Sequence, residues 1–149
     1  MIGVLSLECI SLDAPASSPE ALFQCVGRLV AAAHGLKGGD VADRLLRRES
    51  RRSTGLGYGI ALPHADAHGL SRPVAAFVRL RKPIAFDAPD GRPVTDVLAL
   101  LVPRPATAGH HDLLARYTRL LTRPEFRRSL ERCADATSIW RLFDEHLRW

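Results

Sequence analysis

His64 closes the stretch Gly55-Leu56-Gly57-Tyr58-Gly59-Ile60-Ala61-Leu62-Pro63-His64, in which three glycines at alternate positions lead into a short apolar run that Pro63 stops. A strand ending in Pro-His places an imidazole where the chain leaves a sheet, held on a rigid scaffold. Near neutral pH an imidazole is both nucleophile and leaving group, so it can take a phosphoryl group and pass it on. That transfer depends on positive charge around the moving oxygens. Arg47, Arg48, Arg51 and Arg52 stand just before the glycine stretch and are placed to supply it. Composition alone equally accommodates a loop histidine beside a solvated basic patch.

His110 and His111 open a helical segment, and periodicity separates them. His110 shares a stripe with Leu113, Leu114, Tyr117 and Leu121, whereas His111 falls toward its edge. At a helix N-terminus His110 meets backbone N–H groups, a natural anion site, where it can hold a neighbouring imidazole or a phosphoryl oxygen, or simply pack on the sheet. His64, His68 and His110 as metal ligands lack a second spaced pair, so no metal is expected. Gly55-x-Gly57-x-Gly59 lacks the preceding strand and following helix of a dinucleotide site, and no cofactor is expected. The run Arg47-Arg48-Glu49-Ser50-Arg51-Arg52 has no interleaved aromatics except Tyr58, so a solvated helix face is the default over nucleic-acid binding. Ser53 and Thr54 either hold the turn through their hydroxyls or contact a phosphate.

These residues need a scaffold, and 149 residues suffice for one domain with a full core. A hydrophobic content of 46% and a charged content of 25% fit an ordinary globular protein. The net charge of +5 suggests an acidic, phosphorylated or otherwise anionic partner. The N-terminus has no basic n-region and reaches Glu8 too early for a signal peptide, and no apolar run is long enough to span a membrane. Cys9, Cys25 and Cys133 are few, odd in number and without metal-type spacing, which favours free thiols in a reducing compartment. The expected location is cytoplasmic.

In chain order, Val4–Leu12 reads as an opening strand. Ser18, Pro19 and Glu20 start a helix whose apolar face is Leu22, Cys25, Val26, Leu29, Val30 and Ala33, with Gly35 closing it. Asp40 caps a second helix from Val41 to about Glu49, with Leu45 and Leu46 inward. Gly59–Leu62 is a strand, Ala65–Arg72 a loop, and Val74–Leu80 a strand of period two. Asp87–Gly91 is a turn cluster, and Val97–Val102 a central strand ended by Pro103. Helices follow at about Thr107–Leu121, Phe126–Leu130 and Thr137–Leu147. Helices before, between and after strands predict a three-layer α/β domain with a mixed sheet flanked by helices.

Taken together, Ser53-Thr54-Gly55-Leu56-Gly57-Tyr58-Gly59-Ile60-Ala61-Leu62-Pro63-His64 resembles the phospho-acceptor signature of IIA domains of the mannitol/fructose class of the bacterial phosphotransferase system, a class that includes the stand-alone nitrogen-regulatory IIA proteins. The resemblance continues through Lys82–Asp87 and Leu100–Pro103 to the His110 helix. It implies that His64 is the phosphorylated histidine, His110 the second active-site histidine, and Arg48 an arginine beside the phosphohistidine. It also implies a mixed sheet with flanking helices, phosphoryl transfer from an HPr-like carrier, and onward signalling to a regulated protein target or transfer to a separate IIB protein.

Three features depart from the family pattern. Ala65 replaces a frequent glycine and is followed by Asp66, whose carboxylate would raise the pKa of His64 and repel a phosphoryl group if it pointed inward. His111 stands where the family usually has an apolar residue, and the extra arginines around Arg48 exceed what the signature requires. With no IIB-like cysteine motif or membrane domain in the sequence, a regulatory role is expected ahead of a dedicated transport step. An unphosphorylated interaction module of the same fold is the rival reading.

Overall fold

The computed structural model describes residues 3–146. In order these form β1 (Leu5–Ala14), α1 (Pro19–His34), α2 (Gly38–Arg51), β2 (Gly55–Gly57), β3 (Ile60–Ala61), β4 (His64–Ala67), β5 (Val74–Ile84), β6 (Val94–Pro103), α3 (Ala108–Leu121), α4 (Pro124–Arg132) and α5 (Ala136–His146). The apolar run from Val97 to Leu101 is wholly buried, having no polar face to turn to water. Accordingly β6 is central, antiparallel to β5 on one side and parallel to β3 and then β4 on the other. β1 pairs parallel with β5, and β2 antiparallel with β3, completing a mixed six-stranded sheet. The expected three-layer α/β arrangement is the observed one, and no helix of the described residues is long and apolar enough to cross a membrane.

Local signals place α1 as expected. Ser18 Oγ accepts the Ala21 N–H at 3.2 Å, and Gly35, at φ +70°, donates its N–H to the Ala31 carbonyl. The buried face, however, is Leu22, Phe23, Val26, Gly27 and Val30, while Cys25 and Leu29 are only half-buried. The face is rotated because α1 packs against α2 through two glycines. A Cβ on Gly27 would lie 2.4 Å from the Gly38 carbonyl oxygen. α2 begins at Gly38 rather than Val41, so Asp40 sits inside the first turn instead of capping it. Leu45 is buried as expected; Leu46 is only half-buried.

Two further expectations change. The segment after Pro63 is not a loop at first: His64–Ala67 pairs in parallel register with Leu100–Pro103 of β6. Its polar sequence carries no strand signal, and the pairing is supplied entirely by the central strand. In β5 the alternation conceals burial on both faces, with Val74, Ala75, Ala76, Phe77 and Val78 all inside. Phe77 joins Phe143, which also packs on Tyr117 and Phe126, so one aromatic cluster unites β5 with α3, α4 and α5. Arg79 braces that layer. It meets the Asp96 carboxylate through two nitrogens at 2.8 and 3.0 Å and donates to the Leu130 and Cys133 carbonyls at the end of α4. The closing helix reaches His146; Leu147, assigned to it from sequence, lies outside the described residues, as do Met1 and Ile2.

Candidate active site

The glycine stretch is a hairpin rather than a lead-in to one strand. At its tip Gly57, Tyr58 and Gly59 all have positive φ, +90°, +60° and +77°, which two glycines accommodate without strain. Tyr58 tolerates it where its N–H donates to Asp90 Oδ2 at 2.8 Å. Gly55 is needed for proximity, since a Cβ there would come within 2.9 Å of the Ala88 methyl. The base of the hairpin is tied to the end of α2. Glu49 accepts the Thr54 N–H at 2.7 Å and the Thr54 hydroxyl at 2.5 Å. The Ser53 hydroxyl donates to the Phe86 carbonyl and accepts the Gly55 N–H. Both hydroxyls therefore hold the turn, one of the two roles open to them from sequence. Leu62 N–H then donates to the Thr54 carbonyl at 3.0 Å, and Pro63 passes its carbonyl to Leu100 N–H at 2.8 Å.

Those bonds deliver His64 as the first residue of β4 beside Leu100, inside the sheet rather than at its exit. The imidazole is half-buried, and its Nδ1–H donates to the Leu62 carbonyl at 3.0 Å. A carbonyl only accepts, so the proton sits on Nδ1 and the lone pair on Nε2. Burial lowers the pKa of this imidazole below its usual 6.5; the Leu62 bond opposes that, and Arg48 and His111 add to the lowering. The ring is therefore neutral, and nucleophilic at Nε2, at physiological pH.

A cleft of about 510 Å³ opens on His64 and is lined by Arg44, Arg47, Arg48 and Arg51 of α2 and by His110 and His111 of α3. On its other side a second cleft is lined by Arg52, Ser53, Thr54, Asp87 and Thr118, and His64, Arg48 and Leu114 border both. Arg48 is fixed where α2 ends, its Nη1 donating to the Arg52 carbonyl at 2.9 Å. His110 is 8% exposed, and its Nδ1 accepts the Thr107 N–H at 3.0 Å, so its neutral tautomer carries the proton on Nε2. His111 is exposed and acts on His64 through space.

The structure thus brings His64, His110 and Arg48 to one cleft, together with His111 and the additional arginines. Asp66 lines the same cleft, but the condition under which it would oppose His64 is not met. Its carboxylate is held by Arg44 Nη1 at 3.0 Å and Arg104 Nε at 3.4 Å, and the pKa of His64 is lowered rather than raised. Arg104 also donates to His68 Nε2 at 2.7 Å. Sequence reading missed Glu49 and Thr107. Thr107-x-x-His110 carries the spacing of a capping box, but with histidine in place of the usual Glu or Gln.

Residues 3–146 match the family described as phosphoenolpyruvate-dependent sugar phosphotransferase system, EIIA 2. The chain is 37% identical over 129 residues to a nitrogen regulatory protein of Bradyrhizobium diazoefficiens, covering 85% of this chain and 84% of that one. It is 34% identical over 128 residues to the fructose-specific EIIA component of Haloferax volcanii, covering 85% and 83%. Among solved structures, the nitrogen regulatory protein IIA-Ntr of Neisseria meningitidis superposes with a TM-score of 0.86 at 36% identity, covering 94% of this chain and 96% of that one.

Proposed function

This chain belongs to the EIIA 2 family of the phosphoenolpyruvate-dependent sugar phosphotransferase system, and from that premise we propose that it is a phosphoryl-accepting regulatory protein working through His64. The observation that carries the reading is the 3.0 Å bond from His64 Nδ1–H to the Leu62 carbonyl, which leaves Nε2 as the nucleophile in an arginine-lined cleft. Nε2 attacks the phosphorus of a phosphohistidine on an HPr-like carrier. The new N–P bond forms as the donor's N–P bond breaks, and the donor imidazole leaves with that electron pair. The Nδ1 proton stays, and the Leu62 carbonyl stabilises the positive charge the ring then carries. Arg48 and the Nε2–H of His110 stabilise the oxygens of the moving group.

The readout is binding. A phosphoryl group adds about two negative charges at neutral pH, which changes what docks over the cleft. The names and coverage of the nitrogen regulatory relatives support regulation as the output. A second reading, phosphoryl transfer to a separate IIB protein during sugar uptake, is favoured by the fructose-specific relative. Incubation with labelled phosphoenolpyruvate, the first phosphotransferase enzyme and the HPr-like carrier tests the site. Wild type should take acid-labile label and His64→Ala none; equal labelling of both moves the site elsewhere. An unlabelled wild type would leave an interaction module. Passage of label to an added IIB protein would select the transport reading.

A further inference from the structure

Arg44, Arg47, Arg48 and Arg51 follow one another at intervals of three, one and three residues, so they form a single stripe along about 10 Å of α2. All four line the cleft beside His64. Like charges at this spacing oppose helix formation, and carboxylates do little here to offset them. Arg44 pairs with Asp66, but among the described residues Arg47, Arg48 and Arg51 form no ion pair. Asp43, four residues before Arg47, is out of ion-pair reach of it. Glu49 turns both oxygens to Thr54. One phosphoryl group on His64 carries about two charges, fewer than the stripe presents together with Arg52 at the adjoining cleft.

We infer that the protein docking over His64 presents an acidic face, with carboxylates around an apolar centre, and that the arginine stripe of α2 is the surface that receives it. This rests on the phospho-acceptor reading and adds the chemistry of the partner. The lining of the cleft supports a protein: Leu100, Val102, Ala106 and Leu114 line it together with the arginines, the mixture of apolar and charged surface found at a protein interface. Two helical turns of arginine beside apolar residues make a short track for a nucleic-acid backbone, which is followed by longer basic surfaces with stacking aromatics.

Charge complementarity of this kind acts mainly on association rate and is screened by salt. The test compares wild type, R47E/R51E and the charge-keeping R47K/R51K as acceptors from the phosphorylated HPr-like carrier of the same organism. Transfer to wild type should slow roughly tenfold between about 25 and about 300 mM salt. R47E/R51E should be roughly tenfold slower at low salt with most of that slope lost, and R47K/R51K should stay within about threefold of wild type. Phosphoramidate, a donor that needs no docking, checks the underlying reading on wild type. Label from phosphoramidate with R47E/R51E matching or exceeding wild type from the carrier overturns the acidic partner alone. Wild type that takes label from neither donor overturns the phospho-acceptor reading and this inference with it. Arginine-dependent capture of a mixed-sequence DNA 20-mer, with carrier transfer to R47E/R51E unchanged, would make the occupant a nucleic acid instead.

Discussion

Thr107 and His110 hold each other at the start of α3: the His110 N–H donates to Thr107 Oγ1 at 3.4 Å, and the Thr107 N–H donates to His110 Nδ1 at 3.0 Å. The pair satisfies two helix-end donors and at the same time fixes the ring so that its neutral tautomer carries the proton on Nε2. Structure and chemistry therefore separate by substitution. Thr107→Ala should cost about 1 kcal/mol of stability. His110→Gln keeps an acceptor at the same helix position, so its melting temperature should stay near wild type while phosphoryl transfer falls roughly a hundredfold. A transfer rate within a few-fold of wild type in His110→Gln would reduce His110 to a capping residue.

His64 makes a pH prediction of definite sign. Its folded pKa is lowered, chiefly by burial, from 6.5. The unfolded chain then binds more protons than the folded one below pH 6.5, so stability is fully present above that value and falls as pH drops through the lowered folded pKa. His34 is lowered as well, by burial and Arg72, and contributes in the same direction. The difference between wild type and His64→Gln isolates the His64 share. The imidazole resonances should titrate below 6.5, and acceptance of label should persist to the same lowered pH. A His64 titration at or above 6.5 would contradict the burial that the fold imposes.

Glu49 is the link between α2 and the hairpin. Both of its oxygens are engaged by Thr54, itself only 6% exposed. Glu49→Ala leaves a buried N–H and hydroxyl without their acceptor, which should cost about 1–3 kcal/mol. Because Thr54 in turn accepts from Leu62, whose carbonyl orients His64, transfer should weaken even at temperatures where the variant is folded. Denaturant unfolding and labelling, run on one preparation, check the two effects together. An unchanged midpoint would mean that the clamp is not made in solution.

What the sequence discloses and what it withholds divide along the distance of the partners. Ser18, Pro19 and Gly35 act within a turn of their own helix, so α1 is legible in a window of residues. Val97–Val102 announces a central strand by having no polar face. The strand status of His64–Ala67 depends on β6, more than thirty residues away, and nothing in those four residues signals it. Asp66 shows the same limit at the site. Read as a neighbour of His64 it is an intruding charge; in the fold its carboxylate meets Arg44, twenty-two residues earlier, and Arg104. His64 and His110, which line one cleft, stand in a recognisable signature, whereas Glu49 and Thr107 act on backbone groups and leave only spacing to read.

If Asp66 opposed phosphorylation, removing its charge would speed transfer. Its two oxygens are instead bound by Arg44 and Arg104, and the charged or polar neighbours acting on His64 are Arg48 and His111, after burial and the Leu62 carbonyl. Asp66→Asn should therefore leave the initial rate of labelling within about threefold of wild type, the scale expected for removing a screened, already paired charge. The pairs are part-exposed, with 28% and 37% of the Arg44 and Asp66 side chains accessible, so the stability cost should be no more than about 1 kcal/mol. Any slowing would come from Arg44, freed to move from the place where Asp66 holds it in the cleft. Acceleration beyond about tenfold, well outside the effect of a screened surface charge, would restore Asp66 as an obstacle and show that the two arginines do not hold it in solution.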